Sequence, residues 1–125
     1  MLGTSDRLSL ARPRVRQIHA SRLLAAKGRL SEIGDAKPSI KTVAEEQGYS
    51  QPQFSRLFSD AFGVSPLRYR DGKRLFQARE MVKDTLLPFR DIAESVGYGD
   101  YPTFSKAFRR RFGASPDQVR RRRRA

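Results

Sequence analysis

Between residues 43 and 116 the chain writes one pattern twice. Residues 43–66 read VAEEQGYSQPQFSRLFSDAFGVSP and residues 92–116 read IAESVGYGDYPTFSKAFRRRFGASP. Ala44, Glu45, Gly48 and Tyr49 return 49 positions later as Ala93, Glu94, Gly97 and Tyr98. Phe54, Ser55, Phe58, Phe62, Gly63, Ser65 and Pro66 return 50 positions later as Phe104, Ser105, Phe108, Phe112, Gly113, Ser115 and Pro116. The offset grows by one between Tyr49 and Phe54, which puts a single inserted residue in or beside a turn. A repeat that tolerates an insertion there is a repeated structural unit, and any fold of this chain has to hold two copies of it.

Each copy has a helical grammar. In the first, Ser39 has the chemistry of an N-cap, and Ile40, Val43, Ala44 and Gln47 give a short helix with one buried face. Gly48 stops it in the left-handed conformation that glycine adopts without penalty. Ser50 caps the next helix and Pro52 fits its first turn. Phe54, Leu57, Phe58, Ala61 and Phe62 then form an apolar stripe, leaving Gln51, Gln53, Ser55, Arg56 and Ser59 outside. The second copy repeats this with Phe89, Ile92, Ala93 and Val96, the turn Gly97-Tyr98-Gly99, Asp100 as N-cap, and a stripe of Phe104, Ala107, Phe108 and Phe112. Its outward set is Tyr101, Thr103, Ser105, Lys106, Arg109 and Arg110. Two short helices joined by a three-residue glycine-containing turn describe a helix-turn-helix, and a helix of that diameter fits the major groove of B-DNA. The phenylalanines read as core, because units this small need aromatic area to replace what length does not provide.

The predicted class is all-α, with two helix-turn-helix subdomains joined by a long linker helix. The expected segments are an N-terminal arm and first helix over 1–38, the first helix-turn-helix over 39–66, the linker over 67–85, the second helix-turn-helix over 86–119, and a basic tail over 120–125. Residues 1–12 lack a period and read as a flexible arm. Pro13 opens a helix whose apolar face is drawn through Val15, Ile18, Ala25 and Ile33, with Leu23, Leu24 and Leu30 nearby, Arg16, Arg22, Lys27 and Arg29 in solvent, and Gly28 as an end or a bend. His19 reads as a core-edge histidine. Gly34, Asp35, Lys37 and Pro38 break the chain. Ser65-Pro66 starts the linker, in which Leu75, Ala78, Met81 and Val82 face inward, and its stiffness sets the separation of the two units. Ser115-Pro116 begins a last helical turn before the five arginines Arg120 to Arg124.

Composition narrows the function. Lys plus Arg is 26 against 13 Asp plus Glu, a net charge of +13, which predicts attraction to a polyanion, with nucleic acid the commonest. There is no cysteine and one histidine, so neither a disulfide framework nor a metal site is expected. The single histidine leaves no Ser-His-Asp set. Glu45, Glu46, Asp84, Asp91 and Glu94 suit solvated or capping roles, and the glycines stand singly rather than in a phosphate-cradling loop. The expectation is therefore no enzyme, no catalytic residue and no cofactor. No apolar run approaches the roughly 20 residues of a membrane span and no signal-peptide pattern opens the chain, so the expected setting is cytoplasmic and nucleoid-associated, with no membrane partner.

Arg56 and Lys106, equivalent at the offset of 50, project from the middle of the two second helices, where a side chain meets base edges; Arg and Lys commonly pair with guanine O6 and N7. Ser50, Gln53, Ser59, Arg109, Arg110, Arg111, Arg120 and Arg121 are assigned to phosphates, adding affinity that falls with salt rather than specificity.

The double pattern A-x3-G-Y-S-x3-F-S-R-x-F-x3-F-G-x-S-P, then I-A-x3-G-Y-x5-F-S-x-A-F-x3-F-G-x-S-P, resembles the DNA-binding domain of the AraC/XylS family of bacterial transcription regulators. The likeness covers about residues 39–120, and in length the chain looks like the small MarA and SoxS type members. The resemblance implies about seven helices and a monomer on an asymmetric site of double-stranded DNA. It also implies two recognition helices in major-groove segments about one turn, or roughly 10 base pairs, apart, and activation by recruiting RNA polymerase. Matched by position, the first base-reading set is Gln51, Pro52, Ser55 and Arg56, and the second is Tyr101, Pro102, Thr103, Ser105 and Lys106. Pro52 and Pro102 have no side-chain donor, and Lys106 stands where the family often has arginine. The function read from the sequence is a sequence-specific transcription regulator, an activator by resemblance. The alternatives are a nonspecific nucleoid or RNA-binding protein and the DNA-binding fragment of a longer effector-responsive regulator.

Overall fold

A computed structural model describes residues 13–32 and 38–124. The expected arm over 1–12, Ile33 and the breaker residues Gly34, Asp35 and Lys37 lie outside the described residues, as does the side chain of Val15. Among the described residues there are seven helices and no strand: α1 Pro13–Leu30, α2 Ile40–Glu46, α3 Gln51–Phe62, α4 Pro66–Asp84, α5 Phe89–Ser95, α6 Tyr101–Phe112 and α7 Pro116–Arg124. They form two compact units that divide inside α4, between Arg70 and Asp71.

The first unit buries Leu23, Ala26 and Leu30 of α1 against Val43, Ala44, Tyr49, Phe54 and Phe58. This corrects the expected face of α1. Ile18 is 43% and Leu24 60% exposed, and Ala25 is also exposed. Leu23, Ala26 and Leu30 stand at steps of three and four on one side of the helix. In a stretch rich in Leu and Ala several such stripes exist, and the partner surface selects one. Gly28 does not end the helix: α1 continues through it to Leu30, since one exposed glycine costs a helix only about 1 kcal/mol.

Of the expected solvent cations of α1, Arg22 is exposed, whereas Lys27 and Arg29 are half-buried against partners. Lys27 Nζ sits 4.5 Å from the centre of the Phe62 ring and 5.5 Å from that of Tyr69, and Arg22 lies 5.9 Å over Tyr49. Arg29 donates to Glu46 at 2.7 Å and 2.9 Å and to Glu32 at 2.9 Å. The bond from Arg29 holds the Glu46 carboxyl below its usual range. A lowered carboxyl contributes stability that is present above the unfolded value and is lost as pH falls through the folded one. His19 is half-buried at the core edge, its Nδ1 2.5 Å from the Tyr49 hydroxyl.

The second unit repeats the plan with Leu75, Ala78, Val82, Ile92, Ala93, Val96, Phe104 and Phe108 in its core. The helix starts and stops follow the sequence closely. Ser39 Oγ accepts from the Thr42 N–H, and Ser65 Oγ accepts from the Arg68 N–H. The last turn after Pro116 is longer than expected: α7 takes in the arginine run that the sequence suggested was a tail.

The inserted residue is now located. The α2 and α5 helices begin 49 positions apart and α3 and α6 begin 50 apart, while Tyr49 and Tyr98 both donate their N–H to the alanine carbonyl five residues back, at 2.9 Å. The extra residue is therefore Gly99, between Tyr98 and the N-cap Asp100. Gly97 has φ 99°, whereas a Cβ on Gly99 would meet nothing within 4 Å and its φ is not in the left-handed region. Gly97→Ala should therefore cost about 1–2 kcal/mol, and Gly99→Ala should stay within about 0.5 kcal/mol of the parent. Urea unfolding of the two variants checks this, and a similar loss in both would contradict the placement of the insertion.

Candidate nucleic-acid interface

The surface built by the repeat begins at the two N-caps. Ser50 Oγ accepts from the Gln53 N–H at 3.3 Å, so its hydroxyl proton remains available. Asp100 does the same work with charge. Its Oδ1 accepts from the Thr103 N–H at 2.8 Å and its Oδ2 accepts from the Thr103 hydroxyl at 3.1 Å. The backbone N–H of Thr103 is the main reason that the Asp100 carboxyl lies below its ordinary range, so the start of α6 carries a fixed negative charge that the start of α3 lacks. Gly63 and Gly113, at φ 73° and 74°, end the two helices alike.

Between those ends, the buried phenylalanines turn the opposite faces outward. On α3, Gln51, Pro52, Gln53 and Arg56 are exposed and Ser55 and Ser59 half-buried; on α6, Pro102, Thr103, Lys106, Arg109 and Arg110 are exposed and Ser105 half-buried. Arg56 and Lys106 each lack a hydrogen bond or ion pair to any described residue. Chemically the two faces offer donors at Gln51, Arg56 and Lys106, apolar contact at Pro52 and Pro102, and flanking cations.

Five residues of the expected set behave differently. Tyr101 is half-buried, not outward: its ring stacks 6.3 Å from Phe89 and leans on Phe104 at 6.1 Å. The hydroxyl of Thr103 is already donated to Asp100, which leaves its methyl group and lone pairs for a ligand. Arg111 lies along α4, its guanidinium 3.3 Å from where a Cβ of Gly72 would stand, so a glycine in mid-helix makes its room. Arg120 is not a tail residue. Its Nε donates to the Val82 carbonyl at 3.0 Å and its Nη2 to the Leu87 carbonyl at 2.9 Å, and its guanidinium lies 4.4 Å from the centre of the Phe89 ring. Val82 is in the last turn of α4, where carbonyls have no helical partner; Arg120 supplies one, which removes it from the phosphate set. Arg121 is exposed and pairs with Asp117 at 2.6 Å.

One equivalent pair escaped the sequence reading. Lys41 and Arg90 are 49 positions apart, each second in the first helix of its repeat, and both are exposed. Arg90 lines a hollow of about 680 Å³ with Glu94, Tyr98, Gly99 and Pro102, beside the start of α6. In helix-turn-helix proteins the first helix crosses the nucleic-acid backbone. The signal that could have found this pair was the repeat itself, applied to charge rather than to identity.

A family model described as a helix-turn-helix domain matches residues 43–122, spanning both repeats and α4. The chain belongs to the AraC-type helix-turn-helix family. It is 38% identical over 84 residues to the RCS-specific HTH-type transcriptional activator RclR of Escherichia coli strain K12, a match covering 67% of this chain and 30% of that protein. The chain thus spans about three tenths of the curated relatives it matches. Among solved structures, it resembles the C-terminal domain of AraT, a response regulator from Geobacillus stearothermophilus, with a TM-score of 0.69, 31% identity, and coverage of 83% and 84% of the two chains. The DNA-binding domain of AdpA, solved in complex with a target DNA, shares the fold at a TM-score of 0.70 and 24% identity, covering 85% and 92%.

The revised place of Arg120 has a measurable consequence. Arg120→Ala should lower stability by about 2 kcal/mol, the range for hydrogen bonds from a charged group. Arg121→Ala should change it by less than about 0.5 kcal/mol, as for most exposed ion pairs. Thermal melts of both would show equal shifts if the run were a tail throughout.

Proposed function

We propose that this chain is a sequence-specific DNA-binding transcription regulator that seats α3 and α6 in successive major-groove segments of double-stranded DNA. The observation that carries this reading is the pair Arg56 and Lys106. They hold equivalent positions in mid-helix, are exposed and uncommitted, and are flanked by Gln51 and Pro52 in one unit and by Pro102, Thr103 and Ser105 in the other. In this reading those residues meet base edges, while Ser50, Gln53, Ser59, Arg109, Arg110, Lys41 and Arg90 meet phosphates. Tyr101 contributes only the part of its ring that Phe89 and Phe104 leave uncovered, and Arg121 can reach a phosphate only by leaving Asp117.

Because the two reading helices lie in one chain and differ in their outer residues, a monomer on an asymmetric site is proposed rather than a symmetric dimer. The two contacts are placed about one helical turn apart, near 10 base pairs. The likeness to the transcriptional activator RclR supports activation, and recruitment of RNA polymerase is the corresponding mechanism. The segments proposed from the sequence serve this plan as two reading units joined by α4, in the cytoplasm where the genome lies. Attraction from the net charge of +13 supplies sequence-independent affinity on top.

Selection from random duplex DNA should return a bipartite consensus about one turn long. On the selected site, Arg56→Ala should cost about 1–3 kcal/mol, with little change on random duplex. A featureless pool, or equal losses on both targets, would favour the nonspecific basic binder instead.

A further inference from the structure

In the second unit, away from the α6 reading face, Arg79 and Lys83 of α4 and Val119, Arg122 and Arg123 of α7 line an open groove of about 390 Å³ with Phe112 at the end of α6. The spacing is regular on both walls. Arg79 and Lys83 are one turn apart on α4, and Val119 is followed one turn later by Arg122 and Arg123 on α7, so each helix turns one stripe to the groove. Arg79 spans the rings of Phe112, at 4.9 Å, and Phe76, at 6.0 Å, and its Nε has no hydrogen-bond partner. Neither Arg79 nor Arg122 nor Arg123 is within ion-pair distance of a carboxylate among the described residues. Lys83 meets Glu80 only at 3.8 Å.

We propose that this groove is a docking site for an acidic, amphipathic segment of a partner protein, with its carboxylates on the four cations and an apolar side chain on Phe112 and Val119. Three features select that occupant. First, the groove lies behind the reading helix. Phe112 belongs to the stripe with Phe104 and Phe108 by which α6 meets its own core, while Lys106 and Arg110 point the other way. At 1.5 Å per residue Phe112 is also about 15 Å along the axis from Pro102, so a duplex seated on the reading face does not fill the groove. Second, the floor is aromatic and aliphatic, which a phosphate chain does not need, and cations held over rings favour a partner that combines charge with an apolar anchor. Third, the groove is open to solvent, whereas a small-molecule site buries most of its ligand. Four same-sign charges with one weakly held internal partner raise the encounter rate of an anionic segment and suppress basic ones.

The test uses the full chain and a fluorescein-labelled synthetic helical peptide rich in Glu, with Leu at i and i+4, followed by anisotropy. Lys83→Glu and Arg122→Glu should each weaken peptide binding by about tenfold or more, with thermal melts like the parent to show that the chain is folded. Replacing both Leu by Ser in the peptide should weaken binding as well. An excess of random duplex DNA should leave the peptide bound. Displacement by duplex would assign the groove to DNA and overturn the proposal. So would binding that is indifferent to Lys83→Glu, or equal binding of the Leu-to-Ser peptide, which would show attraction by net charge alone. The outcome is independent of whether α3 and α6 read sequence.

Discussion

The structure depends on one packing arrangement made twice, a ladder of three phenylalanine rings down the buried side of α3 and of α6. Phe54, Phe58 and Phe62 stack with ring centres 5.6 and 4.7 Å apart, and Phe104, Phe108 and Phe112 repeat this at 5.6 and 4.8 Å. The interplanar angles of 57° and 64° in one ladder and 54° and 66° in the other fall in the tilted to edge-on range that aromatic quadrupoles favour. A ladder at i, i+4 and i+8 allows a 12-residue helix no freedom to rotate about its axis. Rotation is what determines which residues face outward, so the core of each unit selects the face that α3 or α6 presents.

With the two phenylalanine ladders alike, the units differ at the helix starts and in the last turn, where α6 carries Arg109, Arg110 and Arg111 and α3 has no basic residue. Ser50 and Asp100 both accept from the N–H three residues on, at 3.3 and 2.8 Å, but only Asp100 brings a negative charge. A carboxylate at the start of α6 opposes a phosphate and favours a hydrogen-bond donor, and it also orders Thr103. Gly99 adds one residue in the same place without demanding a left-handed backbone. These features put unlike outer faces on like scaffolds, which is what different selectivity in the two halves of the proposed interface would need.

Much of this was legible in residue order. Caps, stops and stripes are local chemistry: Ser39, Ser50, Ser65 and Asp100 act on N–H groups three residues away, and Gly48, Gly63, Gly97 and Gly113 sit where φ turns positive. The exposed, uncommitted state of Arg56 and Lys106 follows from the opposite stripe in the same helix. The face of α1 was not legible, because Val15, Ile18 and Ala25 make as good a stripe as Leu23, Ala26 and Leu30 until α2 and α3 are in place. Nor was the inward turn of Tyr101, whose partner Phe89 is 12 residues earlier.

The sequence by itself determined the number of units, their helical grammar, the insertion in the second turn and, Tyr101 apart, the outward faces of α3 and α6, because each of these is set by spacings within a few residues. Only the tertiary structure decided what each cation does. Arg120, Arg121, Arg122 and Arg123 are four identical letters in a row, yet one clamps the end of α4, one pairs with Asp117 and two line the groove with Arg79 and Lys83. Arg121 has its partner one turn earlier in the same helix; the other three are separated by which face of α7 they occupy, and Arg120 meets carbonyls and a ring brought from more than 30 residues away.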